Sequence, residues 1–392
     1  MNFIPYGRQD ISEEDIDAVV EILRSDFLTQ GPAVEKFETC LAKYSDAKYA
    51  VAVNSATSAL HIACLALGVS NKDIVWTSPI TFVASANCAL YCGASIDFVD
   101  IDFETNNICI NSLKDKLEKS KKLNCLPSVL IPVHMGGTSC DMESIFKLSK
   151  EYGFKIIEDA SHAIGGTYKN SKVGASAYSD ITVFSFHPVK IITSGEGGVA
   201  LTNDDKLIAK MALYRSHGIT RDEHLMTDRP HGPWYYEQIE LGFNYRMTDI
   251  AAALGESQMK NLDDFVQKRN LIADRYDELL KDLPVITPTR DKNSLSSFHL
   301  YIVRVDLNEN PNGHKLMFNK LRSSGIGVNL HYIPIYKQPY YRKFLFNEED
   351  FLNSETYYKS AISLPVYPLL TESEQNEVIK VLSHPSGYQN LF

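Results

Sequence analysis

The sequence predicts an α/β fold, a mostly parallel sheet of seven strands between helical layers, with a smaller α+β domain at the C-terminal end. Three observations carry this expectation. From about residue 34 to 260, short apolar runs alternate with helical patterns. The runs are apolar at consecutive positions, as strands covered on both faces are. After a helical stretch near 250–282 the texture changes to fewer, more widely spaced strands and helices.

Residues 12–25, SEEDIDAVVEILRS, open with Ser12 as a cap and Asp15 three positions later. Ile16, Val19, Val20 and Leu23 fall on one side of the helix this predicts. The predicted sheet strands are YAVAV (49–53), DIVWTS (73–78), SIDFVDI (95–101), SVLIPVH (128–134), FKIIEDA (154–160), ITVFSF (181–186) and GVALTN (198–203). TDRPHGPWYYEQ (227–238) reads as a long loop, a kind of segment that often carries function. Beyond the helical stretch come HLYIVRV (299–305), a helix near 314–323, IGVNLHYIP (326–334) and a last helix near 371–382. The expected division is an N-terminal helix and arm (1–30) packing near the small domain, a large α/β domain (31–255) and the small domain (256–392).

With 392 residues, 44% of them hydrophobic, the chain can bury such a core without staples. A net charge of −10 with no polybasic run argues against nucleic acid as a partner. The first fifteen residues, MNFIPYGRQDISEED, lack the basic start and apolar stretch of a secretory signal, and no run long enough to span a membrane follows. A cytoplasmic location is therefore expected. Seven scattered cysteines without paired CxxC spacing predict neither a metal site nor a disulfide.

Ligands of an open parallel sheet gather beyond the carboxyl ends of its strands, and three ends here are chemically loaded. YAVAV runs into Asn54-Ser55-Ala56-Thr57-Ser58, small residues leading to a helix whose free N–H groups suit a phosphate. Alone, that pattern is equally a helix cap. FKIIED ends on Asp159, followed by His162. A carboxylate at an apolar strand end is costly unless a cation meets it, and a protonated pyridine nitrogen is such a cation. Asp159 as a cap, with His162 filling a core gap, is the plainer alternative. ITVFSF leads through His187-Pro188-Val189 to Lys190 and the turn GEGG, with Ser185 on the strand itself. A sequestered lysine favours the neutral amine that condenses with carbonyls, whereas most lysines are solvated surface charges.

Phosphate cradle, acid and amine together are what pyridoxal 5'-phosphate (PLP) requires. Phe82 in PITFVASAN is a candidate for lying flat on its ring, or else a core aromatic. A nicotinamide enzyme would need G-x-G-x-x-G after the first strand, where this chain has NSATSA.

The motifs NSATSAL, PITFVASAN, IIEDASHAIG, FSFHPVK, GEGG, RSHG and GFNYRMTDIAAALG follow in order and spacing. Through them the chain resembles the DegT/DnrJ/EryC1/StrS family of sugar aminotransferases along nearly its whole length. The resemblance implies the fold of type I PLP-dependent transferases, of which aspartate aminotransferase is an example. It implies that Lys190 carries the cofactor, Asp159 meets the pyridine nitrogen, His162 lies near the phenolic oxygen and Phe82 stacks on the ring. Ala56, Thr57 and Ser185 would hold the phosphate, with Asn244 supplied by the other subunit of a homodimer.

Within the family, WTSPITFVASANCALYCGA, PWYYEQIELGFNYRMTDI and NLHYIPIYKQPYY are similar to members acting in pseudaminic acid biosynthesis. This likeness implies L-glutamate as amino donor and a UDP-linked 4-keto-6-deoxy-N-acetylhexosamine as acceptor, with a different UDP- or dTDP-4-keto sugar as the alternative. Tyr6, His217, His331 and Tyr332 are candidate contacts to the sugar nucleotide. The group receiving the glutamate carboxylate stays open among Arg8, Arg215, Arg221, Arg229 and Arg246. Dehydratases of this fold carry His at the lysine position, where this chain has Lys190.

Overall fold

A computed structural model describes residues 3–306 and 313–383, so the last nine residues of the expected small domain lie outside the described residues. Helix α1 (Glu13–Leu23) begins at a reciprocal cap, in which the Ser12 hydroxyl accepts from Asp15 N at 3.3 Å and the Asp15 carboxylate from Ser12 N at 2.9 Å. Helix α2 (Pro32–Ser45) has proline in its first turn, where a missing N–H costs nothing. The chain then alternates β1 (Tyr49–Val53), α3 (Ala56–Ala66), β2 (Ile74–Thr77), α4 (Ala84–Tyr91), β3 (Ser95–Phe98), α5 (Ile110–Lys122), β4 (Val129–Ile131), α6 (Met142–Tyr152) and β5 (Lys155–Asp159). Strands β6 (Ile181–Ser185) and β7 (Gly198–Thr202) follow, then helices α7 (Asp205–Arg215), α8 (Asp249–Met259) and α9 (Leu262–Leu280).

The seven strands form one sheet in the order β1-β7-β6-β5-β4-β2-β3. Six run the same way, and β7 is antiparallel to both its neighbours, β1 and β6. The reason is local. Parallel neighbours need a long crossover, usually a helix, whereas residues 186–197 between β6 and β7 contain none and simply turn back. Lys190 sits in that reversal.

Both faces of the sheet are covered. Val51, Val53, Ile181, Val183 and Ala200 point into one core with α3, α4 and α7. The alternate residues Ala52, Phe184, Val199 and Leu201 point into another, with α2, α8 and the start of α9. Helices α5 and α6 cover Trp76, Leu130 and Ile156. Side chains such as Phe184, fully buried, each contribute about 1.5–3 kcal/mol of transfer free energy.

The small domain adds β8 (Val285–Ile286), β9 (Tyr301–Val305), α10 (Gly313–Ser323), α11 (Leu352–Ser360), β10 (Ala361–Leu364) and α12 (Glu372–Ser383). Its antiparallel strands lie in the order β8-β9-β10. IGVNLHYIP forms no continuous strand, pairing only at Ile326 with Ile4 and at Asn329 with Ser363. The change of core falls inside α9, where Leu262, Phe265 and Val266 pack with the large domain and Ile272, Tyr276 and Leu280 with the small one. The expected boundary at 255 lies within α8, and Ile335, Tyr336, Tyr341 and Phe351 return to a large-domain core.

The N-terminal arm ties into the small domain, with Ile4 N donating to Gly325 O at 2.9 Å. Helix α1 instead packs on α8, where Gln258 Nε2 donates to the buried Asp15 carboxylate at 2.6 Å. Ile22 of the same helix packs partly buried against the core beneath α8, while Ile16 and Leu23 remain 46% and 56% exposed. Among the described residues no helix is long and apolar enough to cross a membrane.

Candidate active site

Three strand ends of the large domain meet the segment after α10 around a cavity of 540 Å³. Beyond β1, Ser55 caps α3 by accepting from Ser58 N at 3.2 Å, and Ser58 Oγ donates to Asn54 Oδ1 at 2.7 Å. Ala56 and Thr57, in the first turn, line the cavity, and helix geometry leaves their N–H groups without intrahelical acceptors. Gly198 makes this position possible. A Cβ there would lie 2.4 Å from Ala56 N, so only glycine lets β7 pass against the start of α3.

At the end of β5, Asp159 is 5% exposed. Its Oδ2 accepts from Ser85 Oγ at 2.6 Å and its Oδ1 from Ser161 N at 3.1 Å. Ser85 is held in turn by Thr81, hydroxyl to hydroxyl at 2.8 Å. Among the described residues Asp159 makes no ion pair within 4.0 Å. It is a fixed acceptor with spare capacity for a cation.

Ser185 at the end of β6 and Lys190 just past it face the same cavity. A turn in which Lys190 N donates to His187 O at 2.9 Å aims the lysine back, and burial holds its ammonium down at a pKa of about 8 against the opposing pull of Asp159. The ordinary lysine value is about 10.4.

His162 shares a hydrogen bond with the Tyr332 hydroxyl through Nε2 at 3.1 Å, while its buried Nδ1 has no partner. Burial, reinforced by Lys190 and His331, pushes its pKa well below the ordinary imidazole value and keeps the ring neutral. His299 packs on it with ring centroids 4.4 Å apart and is neutral for the same reasons, burial first and Lys190 next. His331 bonds to Ser363 Oγ through Nδ1 at 2.8 Å, and burial followed by the Lys190 charge brings it down to about 3. Tyr6 lies 5.4 Å from the His331 ring and Phe82 lies 6.0 Å from Tyr332, both at the cavity wall. Burial raises the pKa of Tyr6 and Tyr332, so both stay phenols.

The fold thus brings together Tyr6, Ala56, Thr57, Phe82, Asp159, His162, Ser185, Lys190, His331 and Tyr332. It does not bring His217 or Asn244 to this cavity. Both are exposed on a neighbouring ladder, where Ser216 bridges Asn244 and His217 N donates to Phe243 O at 2.8 Å. None of Arg8, Arg215, Arg221, Arg229 and Arg246 lines it either. Arg215 is committed to Glu38 at 2.5 Å and Ala52 O at 3.0 Å.

Sequence reasoning missed Ser85, His299, Asn329 and Glu196, all but Ser85 at the cavity wall. Thr81 and Ser85, four apart in PITFVASAN, were the legible hint; His299 left none. A larger groove of 810 Å³ between α10 and α12 holds Ser323, Ser324 and Glu374 but neither Lys190 nor Asp159.

The site fits PLP on this geometry. A buried imidazole nitrogen lacks a partner, a buried carboxylate has room for a cation, a depressed amine shares the cavity, and Gly198 lets its strand pass close against the helix start at Ala56.

The sequence profile of the DegT/DnrJ/EryC1/StrS aminotransferase family matches residues 9–383. The UDP-4-amino-4,6-dideoxy-N-acetyl-beta-L-altrosamine transaminase of Campylobacter jejuni serotype O:23/36 is 40% identical over 365 residues, covering 93% of this chain and 92% of the relative. The spore coat polysaccharide biosynthesis protein SpsC of Bacillus subtilis is 37% identical, covering 97% and 96%. Among solved structures, Helicobacter pylori PseC, an aminotransferase in the biosynthesis of pseudaminic acid, is 34% identical with a TM-score of 0.87, covering 97% of this chain and 99% of its own. The PLP form of Spr1654 from Streptococcus pneumoniae is 28% identical with a TM-score of 0.86, covering 97% of each chain.

Proposed function

The chain belongs to the DegT/DnrJ/EryC1/StrS aminotransferase family, whose members are PLP-dependent sugar aminotransferases, and on that premise we propose that it moves the amino group of L-glutamate to C4 of UDP-2-acetamido-2,6-dideoxy-β-L-arabino-hexos-4-ulose. The observation carrying the reaction is the amine of Lys190, lowered to a pKa of about 8, in one cavity with the buried Asp159. The choice of sugar is supported by the 40% identity to the altrosamine transaminase and the likeness to PseC.

When bound, PLP supplies a carbonyl with which amines condense and a ring that withdraws electrons from the adjoining carbon. The residues of this chain do the rest. The N–H groups of Ala56 and Thr57 and the Ser185 hydroxyl bind the phosphate. Asp159, oriented by Ser85, holds a proton on the ring nitrogen. Lys190 Nζ takes the proton leaving the α-carbon of glutamate and, in the second half-reaction, brings one to C4 of the sugar. An amine near pKa 8 is suited to both tasks, since it is neither fully protonated nor weakly basic at neutral pH. His162, kept neutral by burial, would offer its free Nδ1 to the phenolic oxygen without adding charge, and Phe82 would cover the ring. Tyr6, His331 and Tyr332 form the wall that receives the sugar nucleotide.

The site is completed by a second copy of the chain, whose Asn244 and His217 reach it. Both are exposed outside their own cavity, and apolar side chains such as Phe27, Leu28, Trp234 and Leu241 stand 48–78% exposed, consistent with a homodimer face. The test is incubation of purified protein with glutamate and a panel of UDP- and dTDP-4-keto sugars, with the amino sugar identified by mass spectrometry and NMR. The proposed UDP-sugar should be converted fastest. Faster conversion of another keto sugar overturns the substrate, and no amination of any of them overturns the reaction.

A further inference from the structure

Helix α9 crosses from the core of the large domain to that of the small one, and at the crossing it carries Arg269, which is 1% exposed. Its Nη1 donates to Val366 O at 2.9 Å and to Phe298 O at 3.2 Å, with His299 O at 3.5 Å. Among the described residues it makes no ion pair within 4.0 Å, and its buried Nε and Nη2 have no partner. Burial draws its pKa down to about 9. A guanidinium in that setting loses its hydration and gains no counter-ion, which costs stability unless the carbonyls it gathers need it.

What it gathers leads to the cavity. Phe298 and His299 precede β9 and Val366 follows β10, outside the ladder that pairs Tyr301–Arg304 with Ala361–Leu364. His299 lines the cavity, packs its ring on His162 and has a buried Nδ1 without a partner. Val366 N donates to Tyr6 O at 3.1 Å, so the same guanidinium anchors the arm that places Tyr6 at the cavity wall. Two neighbours reinforce the arrangement. Asn270 Nδ2 donates to Ser296 O at 2.9 Å, and Ser297 Oγ donates to His162 O at 2.8 Å. Segment 296–299 is thus strapped to α9 on one side and to the large domain on the other.

We propose that Arg269 is a positioning residue for the sugar half-reaction, which joins the carbonyls of Phe298, His299 and Val366 and so sets His299 and Tyr6 at the cavity wall. The inference rests on the proposed function in taking that wall as the one that receives the sugar nucleotide. Arg269 does not line the cavity and acts through the backbone it holds. A planar guanidinium fixes the directions of its N–H groups, as the rotating ammonium of a lysine does not.

The experiment compares wild type with Arg269→Lys, Arg269→Met and Leu321→Ala, the last a cavity in the small-domain core that lowers Tm without touching the strap. In both Arg269 variants, amide hydrogen exchange in peptides covering 298–301 and 364–367 should quicken about tenfold, with the seven-stranded sheet unchanged. KM for the keto sugar that wild type aminates fastest should rise about tenfold, while the rate at which glutamate alone discharges the visible band of bound PLP stays within about twofold. Leu321→Ala should show neither change. Unchanged exchange and KM in Arg269→Lys overturn the proposal, as does an equal KM rise in Leu321→Ala or a glutamate rate that falls as far as the sugar rate. Should neither Arg269 variant fold, Asn270→Ala, which frees Ser296 O on the same segment, takes their place with an expected threefold rise in KM, about a third of the Arg269 effect. An unmoved KM there overturns the proposal too. The wild-type rate is measured first, because no amination of any keto sugar overturns the proposed function and this role together, whereas amination with an unmoved KM in the variants overturns this role alone.

Discussion

The two walls of the cavity are built on different principles. The sheet wall bears charge, with Asp159 and Ser185 at strand ends, Ala56 and Thr57 at a helix start and Lys190 in the turn that follows β6. The wall from the small domain, with His299, Asn329, His331 and Tyr332, is neutral and lies largely on irregular chain. Burial enforces that neutrality by holding the imidazoles down and the phenol up. Groups that must change protonation belong on the rigid, charged side. On the proposed function, the uncharged donors and acceptors of the second wall would hold the sugar without disturbing the proton on Lys190.

Lys190→Ala should break this comparison most completely. Losing the amine removes both the attachment point and the proton carrier, so turnover should fall about 10⁴-fold and the borohydride-trapped cofactor adduct should vanish. Recovery of reduced cofactor on another lysine would show that the charged wall does not carry the reacting amine. Next, Asp159→Asn should lower kcat about 10³-fold while the cofactor still binds, because the amide no longer keeps the ring nitrogen protonated. Ser85→Ala, which removes one charge-assisted bond to Asp159, should cost about tenfold. Near-normal turnover in Asp159→Asn would reduce that carboxylate to a structural anchor for Ser85 and the turn at Ser161, since no helix follows it to be capped.

The partner's share of the site is tested by mixing subunits. Asn244→Asp places a carboxylate where the phosphate is proposed to sit and should lose about 100-fold in activity. Co-refolded with Lys190→Ala, it should recover about a quarter of wild-type activity, because half of the random dimers are mixed and each mixed dimer holds one intact site. A mixture no more active than the average of its parents would return Asn244 to a structural loop role.

Smaller effects belong to Lys190 titration and to the neutral wall. In cofactor-free protein, Lys190 is protonated below pH 8 and neutral above it, so competitive acetylation at Lys190 should be half-maximal near pH 8, about two units below surface lysines. A midpoint near 10 would mean the cavity leaves the amine fully solvated. Tyr332→Phe, which removes the hydroxyl bonded to His162, should raise KM for the sugar nucleotide about threefold to tenfold with kcat changed less. A kcat loss as large as that of Asp159→Asn would place Tyr332 in the chemistry and erase the contrast between walls.

How much of this was legible follows the same division. All seven sheet strands were readable because YAVAV, FKIIED and ITVFSF carry their burial on both faces in consecutive apolar residues. Asp159 and Lys190 stood out because a charge beside such a run needs a partner. Ser85 was harder to see, since a serine among small residues in α4 has no reason of its own to face a carboxylate. The exposed side of α1 shows the limit of periodicity, which marks Ile16 and Leu23 as one face without saying what covers it.

By itself, then, the sequence determined the order of the strands along the chain, the cap at Ser12, and the chemistry waiting at three strand ends, because each depends on spacing within a few neighbouring residues. Tertiary structure alone decided that β7 runs against the sheet, that Gly198 passes hard against the α3 N-terminus, and that His299 packs on His162 from a distant part of the chain. Those outcomes rest on which distant surfaces meet and on how far burial displaces a proton there. Neither quantity has a period or a motif, and both come into being only when the chain closes on itself.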